Sequence, residues 1–140
     1  MAANLQTKNA LGEHLIPGLS PLGVPQELAG TAFPFRYNQL DELKQIITDH
    51  GRDLAAIVME PIRSEYTKED FLETVRALAD ESGAVLIIDE VSAGLRLNTG
   101  GAHLDFGITQ DIVVFSKDLG KGHSIGAIIE TTKVMDGAQS

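Results

Sequence analysis

Apolar and polar residues follow two different periods along this chain. Two segments place their apolar residues three and four positions apart, which is the spacing of one face of a helix. The first segment has Asn38 as its N-cap and ends before Gly51. The second opens with a capping-box pattern over Thr67–Asp70 and ends before Gly83. The pattern therefore predicts two amphipathic helices.

Short continuous apolar runs predict buried strands over residues 54–59, 84–89, 112–116 and 125–130. Strand, helix and strand in that order indicate a βαβ unit and a parallel sheet buried on both faces. About eight residues separate the last two strands, and a parallel crossover needs a dozen or more, so we expect the fourth strand to be antiparallel. The sequence predicts an α/β fold with a mostly parallel sheet.

The first part of the chain has a different character. Prolines and glycines are frequent between Ile16 and Gly30, which favours an extended connection over a helix. We therefore expect an extended loop over residues 1–36 and an ordered α/β unit over residues 37–140.

Composition narrows the classes of function. The net charge of −9 argues against binding to nucleic acid or to an anionic membrane, because both need basic patches. The chain has no cysteine, and its four histidines lack the spacing of a metal site, so we expect no metal. No segment has the pattern of a signal peptide or the length of a membrane span, and we expect a cytoplasmic protein.

Three of the predicted strands end in side chains that carry chemistry. Glu60 follows the first strand, Asp89 and Glu90 end the second, and Lys117 follows the third. Ligands of parallel α/β sheets bind beyond the carboxyl ends of the strands, so these groups are candidates for one site.

Two chemistries explain an Asp-Glu pair at the end of a buried strand. The first is a Walker B strand, whose Asp helps to hold Mg²⁺ in an ATPase; its phosphate loop GxxxxGK[ST] is missing from this chain. The second pairs Asp89 with Lys117. A lysine at a strand end can form a Schiff base with an aldehyde cofactor, and a buried carboxylate can keep a pyridine nitrogen protonated.

Several stretches of the chain, taken in their order, resemble the motifs of a known enzyme family. The stretches concerned are "AAIVMEPIRSEY", "FLETVRALADESGAVLIIDEVSAGLR", "GGAHLDFGITQDIVVFSKDLGKG" and "IGAIIETTKVMD". Together they resemble class III pyridoxal-phosphate aminotransferases, and most of all the glutamate-1-semialdehyde aminomutase branch. The resemblance implies pyridoxal 5'-phosphate as cofactor and the large domain of the fold type I transferases, of which residues 37–140 would be a three-layer fragment without the small domain.

The resemblance implies roles for four residues. Asp89 would be the partner of the pyridinium nitrogen, and Val91 would pack on one face of the ring. Ser92 stands where many members carry a Gln that contacts the ring oxygen. Lys117 would form the Schiff base and later move protons on the substrate carbon.

Nearby carboxylates receive weaker interpretations. Glu60 would lie at the rim of the site with a structural role, and Glu90 would also be structural. Glu65 falls where some aminotransferases carry a gating Glu, although the surrounding text departs from the family. Asp118 likewise departs from the residues that usually follow the lysine.

The implied reaction is transfer of an amino group, by an aminotransferase or an aminomutase, between small-molecule donors and acceptors in a homodimer. We expect the 140-residue chain by itself to be inactive, because the phosphate-binding turn of the family has no counterpart in it. Two alternatives remain open at this point. One is a non-catalytic fragment that acts only by association with another chain, and the other is an ATPase piece whose phosphate loop lies elsewhere.

Overall fold

The computed structural model describes residues 31–63 and 65–138. The chain divides into two compact units, Met1–Arg36 and Tyr37–Ser140. The loop predicted over residues 1–36 lies outside the described residues except for its last six positions, 31–36, which form neither helix nor strand. None of the helices in the described part is long and apolar enough to cross a membrane.

Within the described residues, four strands form one sheet in the order β1-β2-β3-β4, and three α-helices accompany it. The strands are β1 (Ala56–Met59), β2 (Val85–Asp89), β3 (Ile112–Phe115) and β4 (Ala127–Glu130). The helices are α1 (Leu40–His50), α2 (Phe71–Ser82) and α3 (Thr132–Ala138). Short 3₁₀ segments lie at Gly51–Asp53, Ala102–Phe106 and Lys117–Leu119.

The strand directions confirm the predicted α/β fold. β1 pairs with β2, and β2 with β3, in parallel, whereas β4 runs antiparallel to β3. The reversal is made in a turn where Lys121 and Gly122 both have positive φ (44° and 102°) and the His123 N–H donates to the Gly120 carbonyl at 2.9 Å. Two successive left-handed residues are what a tight hairpin turn requires.

The helix ends follow the predicted glycines, but the helix starts do not follow the predicted caps. Gly51 and Gly83, with positive φ, terminate α1 and α2 as expected. At the start of α1, Asn38 is not the N-cap; its amide donates to the Tyr66 carbonyl (3.0 Å) and its Oδ1 accepts from the Lys68 N–H (2.9 Å). It joins the start of α1 to the connection before α2, a tertiary role that local sequence does not reveal.

The capping box predicted at the start of α2 is also absent. The helix begins at Phe71, and Asp70 occupies the N-cap position in a left-handed conformation without a side-chain cap bond. The Thr67 hydroxyl donates instead to the Lys68 carbonyl at 3.2 Å. The helix is held by its apolar face, on which Phe71, Leu72, Val75 and Ala79 are buried.

The two faces of the sheet are covered to different degrees. Alternate residues on one face are buried, as shown by Ile57, Leu86, Ile88 and Val113, each at most 4% exposed. Their neighbours on the other face are partly exposed, in the pattern iBiBi along β2. The sequence predicted burial on both faces; the described residues bury one face fully and the other only in part.

Candidate functional site

The partly exposed face of the sheet carries Asp89 at the end of β2. Asp89 is the register partner of Val114, so its side chain shares the face of Val114 rather than that of the buried Val113. Its Oδ1 accepts a hydrogen bond from the Val91 N–H at 2.9 Å. Asp89 therefore shapes the turn that follows β2, and it does so at the carboxyl edge of the sheet where ligands of such folds bind.

Lys117 lies just beyond the end of β3, in an unusual backbone conformation. Its φ is +46°, and its carbonyl accepts from the Gly120 N–H at 3.0 Å in a short 3₁₀ turn. A non-glycine residue in the left-handed region costs on the order of 1 kcal/mol, and such residues cluster at functional sites. The Lys117 side chain is exposed, and its Nζ donates to the Ser92 hydroxyl at 2.6 Å.

The predicted site residues thus come from two neighbouring strand ends. Asp89, Val91 and Ser92 lie in and after the end of β2, and Lys117 reaches them from β3 through Ser92. The lysine amine bonds to Ser92, while the Asp89 carboxylate bonds to the backbone of Val91. One side of the site therefore offers an amine and a hydroxyl, and the same turn offers a carboxylate.

Glu90, next to Asp89, points the other way and is fully buried at 0% exposure. Its Oε1 accepts from the backbone N–H of His103 at 2.7 Å and lies 2.8 Å from the His103 Nδ1. The His103 ring nitrogen and the Glu90 oxygen are close enough to share one hydrogen bond. The structural role predicted for Glu90 agrees with these contacts, although sequence gave no sign of its partner.

Two glycines allow this close packing. A Cβ at Gly101, whose φ is +111°, would lie 2.6 Å from the His103 ring, and a Cβ at Gly94 would lie 2.7 Å from both the Glu90 carbonyl oxygen and the Phe115 ring. The Gly100-Gly101 pair reads in sequence as a flexible turn. In the structure Gly101 is instead a buried position where only glycine leaves room for the histidine.

An ion pair between Arg96 and Asp118 lies at the surface beside Lys117. The Arg96 guanidinium donates to the carboxylate of Asp118, and this hydrogen bond, with the nearby charges of Arg96 and Lys117, holds the pKa of the Asp118 carboxyl below its usual value. Asp118 thus stays ionised at neutral pH next to the candidate lysine. It also links the turn after β2 to the turn after β3.

An open cleft of about 410 Å³ lies at this edge of the sheet. It is lined by residues that follow β1 (Glu60, Ile62 and Arg63) and β2 (Ser92, Ala93, Arg96 and Leu97). The position of Glu60 agrees with the rim predicted for it, and Arg63 lies 3.6 Å from its carboxylate. Glu65 is exposed. Of the predicted site residues, Ser92 lines this cleft and also accepts from the Lys117 amine, whereas Asp89, Val91 and Lys117 are not part of its lining.

Sequence reasoning missed His103, Arg96 and Gly101. His103 follows Glu90 by 13 residues in an irregular segment, where no helical or strand period relates the two positions. The Gly-Gly pair directly before the Ala102–Phe106 segment was the one available signal, because glycine is also used where the backbone approaches another group closely.

Comparison with known proteins gives a consistent result. The family model described as Aminotransferase class-III matches residues 7–140. The chain is 34% identical over 132 residues to a glutamate-1-semialdehyde 2,1-aminomutase of Hyperthermus butylicus, covering 91% of this chain and 30% of that protein. It is 35% identical to a 3-aminobutyryl-CoA aminotransferase of Cloacimonas acidaminovorans, covering 81% of this chain and 29% of that protein.

A solved structure matches as well. The FumI protein of Sphingopyxis sp. in its PLP internal aldimine form superposes with a TM-score of 0.78 at 27% identity, over 84% of this chain and 30% of that one. The chain therefore spans about 30% of the length of the relatives that it matches. The family model covers nearly all of the chain, and the strand order, the reversed last strand and the ordered motifs agree with it: the chain belongs to the class III aminotransferase family.

Proposed function

We propose that this chain carries the lysine and aspartate of a pyridoxal-phosphate site, and that the protein transfers amino groups as an aminotransferase or aminomutase. One observation carries the proposal: the Lys117 amine, from the end of β3, bonds to Ser92 at 2.6 Å, three residues after Asp89 at the end of β2. This brings a primary amine to the turn that holds a carboxylate.

The family and the solved relative imply pyridoxal 5'-phosphate as the cofactor. When bound, this group supplies an electron sink that stabilises negative charge on the substrate carbon. The residues present fit its aldehyde and ring nitrogen, because an amine and a carboxylate stand on neighbouring strand ends, and Ser92, which accepts from the amine, lines the cleft.

Each residue has a defined task in this proposal. Lys117 provides the covalent attachment and then takes and returns the proton at the substrate carbon. Asp89 holds the proton on the ring nitrogen, because an ionised carboxylate favours the charged form of its partner. Val91 packs against the ring, and Ser92 orients the Lys117 amine.

The phosphate of the cofactor is less well served by the described residues. A phosphate favours a helix N-terminus with unpaired N–H groups and no competing acid. In the described part of the chain, α1 has Asp41 and Glu42 in its first turn, α2 has Glu73, and α3 is only 7 residues long. We therefore propose that residues 31–63 and 65–138 supply the ring and lysine part of the site but not its phosphate cradle.

The substrate class and the assembly follow the same reasoning. The relatives include an aminomutase and an aminotransferase acting on a CoA thioester, so the proposal extends to a small-molecule amino donor and acceptor and no further. A homodimer in the cytoplasm is part of the proposal. The ATPase and the non-catalytic fragment are not favoured, because the family match covers residues 7–140, including the whole Asp-Glu strand.

A spectroscopic titration tests the proposal. Pyridoxal phosphate is added to the purified chain, and the visible absorbance of a lysine-bound cofactor is followed for wild type, Lys117→Ala and Lys121→Ala. Lys121, four residues away and exposed, is the matched control. We expect the signal to be lost in Lys117→Ala alone, and Asp89→Asn to retain the attachment with a changed spectrum.

The same preparations define what would contradict the proposal. Equal spectra for Lys117→Ala and wild type would remove Lys117 from the site, and stabilisation by a nucleotide without any cofactor signal would favour the ATPase. With an amino donor added, we expect keto-acid formation far below about one turnover per second, the lower range of ordinary enzymes, because the phosphate would be held poorly.

A further inference from the structure

Glu90 joins three separate segments at the edge of the sheet. Its backbone N–H donates to the Val114 carbonyl of β3 at 2.9 Å, and its own carbonyl accepts from the Gly94 N–H at 2.8 Å. Its side chain accepts from the backbone N–H of His103 in the Ala102–Phe106 segment and also contacts the His103 Nδ1 at 2.8 Å. Glu90 thus joins the turn that holds Asp89, Val91 and Ser92 both to β3 and to the Ala102–Phe106 segment.

Core stability alone is a poor reason for this arrangement. Removing a carboxylate and an imidazole from water is unfavourable, and apolar residues of similar volume often stabilise a core equally well. In addition, Glu90 Oε2 is buried and has no hydrogen-bond partner within the described residues. Because burial of Glu90 and His103 is unfavourable and the pair lies beside the candidate site, we expect a role of the pair in positioning that site.

Close packing around Glu90 and His103 couples their positions to that of the turn after β2. The Gly94 Cα approaches both the Glu90 carbonyl and the Phe115 ring so closely that a methyl group would not fit, and the Gly101 Cα approaches the His103 ring in the same way. Since close-packed interiors have little room for independent shifts, a displacement of His103 or Glu90 moves the turn. Ser92, the acceptor for Lys117, moves with it.

We propose that Glu90 and His103 form a positioning pair, which holds the turn Asp89–Gly94 so that Ser92 receives the Lys117 amine. The pair acts through the turn and touches neither substrate nor cofactor. The proposal rests on the proposed function for its catalytic meaning. Its physical content, control of the Lys117 amine by a residue buried on the other side of the turn, holds without any cofactor.

Competitive acetylation of the full 140-residue chain tests this coupling directly. Trace acetic anhydride is added without cofactor, and mass spectrometry gives the labelling rate of Lys117 relative to Lys44, an exposed lysine on α1. The variants are Ser92→Ala, which removes the acceptor, Glu90→Gln, which keeps the shape of the side chain, and the double variant. His103→Gln breaks the pair from the other side.

We expect the effects of Ser92→Ala and Glu90→Gln on the labelling ratio to be non-additive in the double variant. Ser92→Ala changes the Lys117/Lys44 ratio about two-fold or more, the lower range for groups in contact. Glu90→Gln and His103→Gln change it in the same direction, and Glu90→Gln causes no further change once Ser92 is alanine. Arg76→Gln is the control, because Arg76 bonds to Asp111 and Asp80 away from this turn and should leave the ratio unchanged.

Each other outcome overturns the proposal. Ratios unchanged in Glu90→Gln and His103→Gln, additive effects in the double variant, or an equal effect of Arg76→Gln would show that the pair does not position the amine. Loss of the fold in both Glu90→Gln and His103→Gln, seen by circular dichroism, would make the pair a structural element only. A confirmed cycle together with no cofactor attachment at Lys117 would overturn the proposed function and leave the coupling intact.

Discussion

Two side-chain pairs fasten helical segments to the same sheet at opposite edges, and they differ in burial. Arg76 of α2 binds Asp111, at the edge where β3 begins, and their side chains are 18% and 24% exposed. His103 binds Glu90, at the edge where β2 ends, and their side chains are 5% and 0% exposed. Only the second edge carries the candidate site. The buried pair is therefore the one that lies beside the candidate site.

The partners of the two carboxylates also differ. Asp111 Oδ2 accepts from both the Leu86 N–H (2.8 Å) and the Arg76 guanidinium (2.9 Å). Glu90 Oε1 takes both contacts with His103, while its Oε2 has no partner among the described residues. The first arrangement joins strands to a helix near the surface. The second is buried and joins the turn after β2 to the Ala102–Phe106 segment.

Breaking the buried pair should have the largest effect on stability. Glu90→Ala leaves a cavity and removes the acceptor of the buried His103 N–H, and we expect these two costs together to lower the free energy of unfolding by about 3–5 kcal/mol. A urea titration measures it, with Glu81→Ala on the exposed face of α2 as the control. A loss below about 1 kcal/mol, the range of exposed ion pairs, would contradict the difference between the two edges.

Removing the other carboxylate should have a smaller effect. Asp111→Ala leaves the N–H of the fully buried Leu86 without its acceptor, and we expect a loss of about 1–3 kcal/mol in the same titration. Asp80→Ala is the matched control, because this exposed carboxylate also binds Arg76 but supports no strand. Equal losses for Asp111→Ala and Asp80→Ala would show that the Leu86 bond contributes nothing.

The contribution of the Asp111 carboxylate to stability should also depend on pH in the acid range. Burial opposes its ionisation, but the bonds from Leu86 and Arg76 outweigh this and hold the pKa of Asp111 below its usual value. Its contribution is therefore complete above the unfolded pKa of about 3.9 and is lost as the pH falls through the lower folded pKa. We expect the urea midpoint to fall less steeply with acid in Asp111→Asn than in wild type. Parallel pH profiles would contradict this.

The surface pair beside Lys117 should matter least for stability. Arg96→Gln removes the partner of Asp118, but both side chains are exposed, at 58% and 38%, and solvent screens them. We expect no measurable change in the urea midpoint, in low or high salt. A drop as large as that of Asp111→Ala would mean that this contact holds the turns together.

The sequence predicted the sheet better than it predicted the contacts that fix the site. Continuous apolar runs located the strands, and Gly51 and Gly83 located the helix ends, because these signals are local. Asn38 was misread as a cap because its actual partners, Tyr66 and Lys68, lie 28 and 30 residues away. Tertiary bonds of this kind leave no period in the sequence.

In the candidate site, too, the residues at the strand ends could be predicted from the sequence, but their tertiary contacts could not. Asp89 and Lys117 could be selected because each ends a recognisable strand, and parallel strand ends share one edge. The bond between Lys117 and Ser92 and the pair of Glu90 with His103 could not, since both depend on irregular turns whose paths follow from packing. The role expected of Ser92 was implied by the family resemblance, as a contact to the ring oxygen, and its contact with the lysine was not foreseen.

Reductive trapping tests the central claim most directly. Pyridoxal phosphate is bound to the chain, the linkage is reduced with borohydride, and the modified lysine is identified by peptide mass mapping. We predict one principal modified peptide carrying Lys117, which disappears in Lys117→Arg and persists in Lys121→Arg. Label spread equally over the exposed lysines, with the same map for Lys117→Arg, would contradict the account.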